Sequence, residues 1–120
     1  MNSGAPERSN STELSPSRNL LVEIIRETHF GRIENLLVRD GEPVLQPPPR
    51  IVRTLRFGDG EGIRRIPTVS EIAARPAVKE LMWQINLLQD GSFLRIEVRE
   101  SLPVFSEIEI VAAGIGDAHD

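Results

Sequence analysis

The 120-residue chain contains no cysteine and no tyrosine, and it has a single tryptophan and two histidines. Without cysteine there is no disulfide, thiol nucleophile or thiolate-bound metal, and a reducing cytoplasm suits the chain. The histidines are His29, near a predicted helix end, and His119, close to the carboxy terminus. One histidine within an ordered region cannot build a histidine metal cluster. A Ser-His-acid set would have to use His29, around which no nucleophile-elbow sequence stands. Glu107 and Glu109 share a predicted strand face about 7 Å apart, and this pair reads as exposed rather than pocketed. No catalytic residue, metal ligand or cofactor is expected, and the isolated chain reads as non-enzymatic.

Two further scarcities narrow the field. No apolar run approaches the roughly 18 to 20 residues that cross a bilayer, and residues 1–13 lack the apolar core of a secretory signal. A cytoplasmic protein without membrane contact is therefore expected. A net charge of −4 and a pI near 5.2 disfavour a generic polyanion binder, because nonspecific phosphate binding needs a basic face.

What is present is ordinary globular material: 39% apolar and 27% charged residues, enough for one domain around one modest core. The expected layout is a disordered tail over 1–14, one domain over 15–111 and a frayed end over 112–120. Sliding the chain against itself by 60 positions aligns 15–45 with 75–105. Eight identities result: Pro16/Pro76, Leu21/Leu81, Ile25/Ile85, Gly31/Gly91, Val38/Val98, Arg39/Arg99, Pro43/Pro103 and Val44/Val104. Unrelated segments of ordinary composition would give about two. The reading is an internal repeat, with halves near 15–57 and 75–111.

Each matched position has a physical role. Ser15 can cap a helix opened by Pro16 and running to about Thr28, with Leu20, Leu21, Ile24 and Ile25 as its apolar stripe. Pro76 opens a second helix with the stripe Val78, Leu81, Met82, Ile85 and Leu88, preceded by a separate short turn over 70–75. Gly31 and Gly91 are expected to stop the helices or start the turns after them. Strict alternation would turn Leu94, Ile96 and Val98 inward, with Leu36 and Val38 as their counterparts. Asp40-Gly41 signals a tight hairpin, and Glu100-Ser101 predicts a wider or bulged one. Arg50 to Phe57 forms a third strand candidate after Pro47-Pro48-Pro49, with the character of an edge. The predicted fold is α+β: two helices on one face of a mostly antiparallel sheet of four to five strands, with approximate two-fold symmetry.

The amphipathic helix, then Phe30-Gly31-Arg32-Ile33 and Leu37-Val38-Arg39-Asp40-Gly41, resembles the small uncharacterised bacterial proteins of the YezD type. The resemblance covers about 25 residues of the first half and fewer of the second. It implies a helix followed by a glycine-led hairpin with a DG turn, and no activity. The proline-rich insertion and Arg50 to Phe57 fall outside it.

Two surfaces are candidates for function. Arg50, Arg53, Arg56, Arg64 and Arg65 could meet phosphate, nucleic acid or an acidic protein. The bland alternative, preferred here, is that the acidic strand with Glu107 and Glu109 lies beside them and neutralises them. Trp83 and Leu87 sit off the main stripe of the second helix, at places that Glu23 and Glu27 occupy in the first. They either pack under Arg50 to Phe57, the preferred reading, or form an interface; Leu37 faces outward as a third candidate contact. Gly58 to Gly62 reads as a flexible connection, lacking the residues of a phosphate or calcium loop. The leading expectation is an interaction or scaffold module, self-associating through a sheet edge or the Trp83 face, with a second copy or another protein as partner. Nucleic-acid or anion binding through the arginines is the alternative.

Overall fold

The structure, a computed structural model, describes residues 14–55, 57–58 and 67–110. Arg56, Arg64 and Arg65, most of the Gly58 to Gly62 connection, residues 1–13 and everything from 111 onward lie outside the described residues.

Helix α1 spans Pro16–Thr28. The Ser15 side chain caps it by accepting the Arg18 amide, and Pro16 stands in the first turn, where a missing N–H costs nothing. It buries Leu21, Val22, Ile25 and Thr28. Leu20, assigned above to the stripe, is 51% exposed. At about 100° per residue, Leu21, Val22 and Ile25 fill one arc and Leu20 falls beyond its edge. Leu14, assigned to the tail, packs half-buried against the core. A short helix α2, Val69–Ala73, opens with a reciprocal capping box between Thr68 and Glu71. Helix α3, Pro76–Leu88, buries Val78, Leu81, Met82 and Ile85.

The five strands are β1 (Gly31–Arg39), β2 (Glu42–Val44), β3 (Arg50–Arg53), β4 (Gly91–Arg99) and β5 (Leu102–Ile110). All pairings are antiparallel. β1 and β4 form the centre, and β5 lies outside β4. On the other side β1 pairs with β2 through Leu37 to Arg39 and with β3 through Gly31 to Glu34. One broken strand thus runs along β1, interrupted by residues 45–49 with their three prolines. Among the described residues of the expected third strand only Arg50–Arg53 is strand, and it is an edge.

This order corrects the expected neutralisation of the arginines. Each hairpin keeps its own strands adjacent and the hairpins join through β1 and β4, which sends β3 and β5 to opposite edges. Glu107 and Glu109 therefore lie across the sheet from Arg50 and Arg53.

The inward set on β4 also differs from strict alternation. Phe93, Ile96 and Val98 are buried, whereas Leu94 is 41% exposed. The β4–β5 register shifts between Phe93 and Arg95, and one extra residue reverses the phase of everything before it. β1 shows the same spacing, with Ile33, Leu36 and Val38 buried and Asn35 at φ 61°. These residues and the buried faces of α1 and α3 form the core, and among the described residues no helix covers the opposite face of the sheet.

The second hairpin turn is tight, like the first, because Arg99 faces Leu102 as Arg39 faces Glu42. Glu100 and Ser101 hold φ 53° and 64°, beside 54° and 72° at Asp40 and Gly41. A serine is held there because its N–H donates to His29 O at 2.9 Å and its hydroxyl donates to Arg26 O at 3.0 Å. The irregularity expected at the turn falls later, where Val104 is the extra residue between Pro103 and Phe105. The helices end at His29 and Gln89, with φ 61° and 60°, rather than at the glycines. Gly31 is needed for a different reason: a Cβ there would stand 2.0 Å from Val52 O on β3. Among the described residues, no helix is long and apolar enough to cross a membrane.

Candidate functional site

β5 is the longest stretch of backbone in the sheet with a partner on one side only among the described residues. Pro103 is its second residue, where a missing donor is harmless at an edge, and Val104, Phe105, Ile108 and Ile110 are interspersed with Ser106, Glu107 and Glu109. These four apolar side chains are 49%, 47%, 41% and 58% exposed. Their directions follow from the register. Ser106 is opposite buried Ile96 and Ile108 opposite buried Phe93, so both point to the helical side. Phe105, Glu107 and Glu109 point to the open face, opposite Glu97, Arg95 and Ser92. Arg95 lies over the Phe105 ring, 5.3 Å from its centroid, and its Nε is 3.8 Å from the Glu107 carboxylate. That Nε is shielded from solvent and makes no hydrogen bond.

Between α3 and β5 a groove of about 340 Å³ runs past Leu81, Gln84, Pro103 and Ser106. The opposite edge is built differently. β2 and β3 are short, the prolines separate them, and the Ser15 and Ser17 hydroxyls tie Glu42 of β2 to the start of α1 at 2.6 Å each. Burial raises the Glu42 pKa, but these two bonds and the nearby Arg18 outweigh it and hold the carboxyl below its ordinary value.

The residues singled out from sequence do not converge. Trp83 and Leu87 are 59% and 56% exposed on the outer side of α3, away from Val78, Met82 and Ile85. Among the described residues the expected packing under Arg50 to Phe57 is absent, because a residue five positions after Val78 is turned about 140° from it. Leu37 belongs to the open face of the sheet, with the helical layer between it and Trp83. Arg50 is directed at Glu34 at 3.4 Å, and Arg32 bonds the same carboxylate at 2.7 Å. The Arg32 bond is the main cause holding Glu34 below the ordinary carboxylate pKa, with Arg50 and Arg95 adding to it against desolvation. Arg53, Arg39 and Arg99 are exposed.

Sequence reading missed the contact between His29 and Ser101, whose Nδ1 and Oγ lie 2.9 Å apart although 72 positions separate them. Ser101 is fully buried and its hydroxyl donates to Arg26 O, so the pair fastens the second hairpin turn to the end of α1. A cavity of about 520 Å³ beside it is bordered by Pro67, Ile72, Arg75, Glu100 and Leu102. Among the described residues there is no group of three or more histidine, aspartate or glutamate side chains placed to hold a metal ion. No family model, curated protein or solved structure matches the chain.

Proposed function

We propose that this protein is a non-catalytic interaction module of the bacterial cytoplasm whose contact element is the β5 edge. The carrying observation is a nine-residue strand bonded on one side only among the described residues, with four apolar side chains half open to solvent. Such an edge offers main-chain donors and acceptors to an added strand and pockets for alternate side chains. The groove beside α3 supplies the pockets.

The scaffold reads as two copies of one helix-hairpin unit, each of the YezD-like pattern, related by an approximate two-fold axis through the β1–β4 ladder. Equal helix lengths at a spacing of sixty support this, as do the paired angles at His29 and Gln89 and the reciprocal pairs Gly31–Val98 and Val38–Gly91. The anion-binding alternative draws less support, since among the described residues only Arg50 and Arg53 of its five arginines are placed, and Arg50 is engaged by Glu34.

A labelled peptide of the sequence Leu102–Ile110, titrated with the full chain and read by fluorescence anisotropy, tests the edge. Saturable binding is expected, and Ile108→Lys in the full chain should weaken it about tenfold or more, because a charge is carried into the seam. Trp83→Ala should leave it unchanged. Loss of binding in Trp83→Ala alone would transfer the contact to the outer face of α3, and no binding at all would end the reading.

A further inference from the structure

We infer that the strand added to β5 is the β5 of a second copy of this chain, antiparallel and centred on Ser106, so that two sheets become one. This rests on the interaction reading above and specifies its partner.

Repulsion between carboxylates narrows the register, and the place of Arg95 selects it. With the helices of both copies on one side of the joined sheet, a two-fold axis must bring together residues that face the same way. Centring on Glu107 sets it against its own copy, and centring on Ile108 sets Glu107 against Glu109; like charges directly opposite are unfavourable. Centring on Ser106 places Glu107 opposite Phe105 of the second copy. There it meets the guanidinium of Arg95, which lies 5.3 Å over that ring and has an Nε without a hydrogen bond. Each Arg95 then stands between the carboxylates of both copies, as the 3.8 Å approach of its own Glu107 leaves room for.

The bulge at Val104 carries the match further. Because Val104 is extra on β5, Pro103 faces the helical side as Ile108 does. Past the bulge, Ile108 of one copy therefore meets Pro103 of the other at the mouth of the groove under α3, and Leu102 meets Glu109. Almost the whole strand is paired and no carboxylate faces another. The interface is isologous, and assembly stops at two because the opposite edge is broken by prolines.

The absence of cysteine makes the register directly readable. Ser106→Cys, Glu107→Cys, Ile108→Cys and Glu109→Cys full-length chains are oxidised mildly at concentrations where light scattering gives the mass of a dimer, and covalent dimer is measured on non-reducing gels. Opposed Cβ atoms in an antiparallel pair are about 4.5 to 5.5 Å apart, close enough for a disulfide after slight adjustment. Covalent dimer dominated by Ser106→Cys, with the other three near background, is the expected result. A maximum at Glu107 or Ile108 overturns the register. A monomeric mass with no crosslink in any variant overturns the second copy as partner: if the labelled peptide still binds, the edge still takes up an added strand and the interaction reading stands, and if it does not, that reading falls too.

Discussion

The strands that leave the two hairpin turns begin alike and end differently. Both start from a two-residue turn with positive φ, and both place a proline opposite a buried valine, Pro43 beside Val38 and Pro103 beside Val98. After Val44 the first is broken, and its continuation as β3 is displaced along β1 by the proline-rich segment. The second runs unbroken to Ile110. The same local unit can thus make a closed edge or an open one, and the choice lies in a few residues after the turn rather than in the core. The starts of the helices vary in parallel. Ser15 caps α1 and joins Ser17 in holding Glu42, whereas Arg75 gives α3 no side-chain cap and Leu102 stands where Glu42 would.

The largest expected effect tests whether the cores beneath these two edges are equivalent. Ile25 and Ile85 are both fully buried at matched places, so Ile25→Ala and Ile85→Ala should each cost about 2 to 5 kcal/mol. Urea midpoints should fall together; a loss confined to one half would break the comparison. Next comes Gly31→Ala, expected to cost roughly 2 kcal/mol or more, since the added carbon would collide with Val52 O at 2.0 Å. Gly91→Ala meets Glu109 O at 2.6 Å, near the end of β5, which can yield, so its cost should be smaller in the same titration. The smallest effect concerns pH. The folded-state pKa of Glu42 lies below its ordinary value of 4.5, so its contribution is complete above that value and is lost as pH falls through the folded pKa. Stability followed from pH 6 down to 2 should therefore decline less steeply in Glu42→Gln than in the natural chain. Identical acid limbs would mean that the Ser15, Ser17 and Arg18 cluster is not held in solution.

Much of the frame was legible because it is written locally. The proline at each helix start, the apolar stripe of α3 and the Asp40-Gly41 turn are governed by neighbours within a few residues. What was not legible depends on distant partners. Leu94 reads as inward under simple alternation, and only the three-residue interval between Phe93 and Ile96, repeated at Ile33 and Leu36, discloses the bulge. Leu20 belongs to an apolar run, and the sheet beneath α1 decides which four of its residues are covered. The places of Arg50 and Glu107 on opposite edges follow from strand order, which no local pattern records. The same limit applies to the candidate site: a strand after Pro103 is visible in the sequence, but its lack of an outer neighbour among the described residues is not. Trp83 and Leu87 were singled out correctly as off the stripe, and the preference for packing them inside failed because, among the described residues, no segment reaches the far side of α3.

The central β1–β4 ladder also governs when the molecule can exist. Its pairs join residues about sixty positions apart, so closing the sheet requires a long loop to be brought together before the ladder can reward it. Each helix and hairpin has its own short-range contacts and can form early. During synthesis, β1 must wait with its inner edge unpaired until β4 has left the ribosome, and for that interval the first half displays the very backbone it later hides. The proline break on its outer side matters most then, because it leaves the waiting half with one vulnerable edge instead of two.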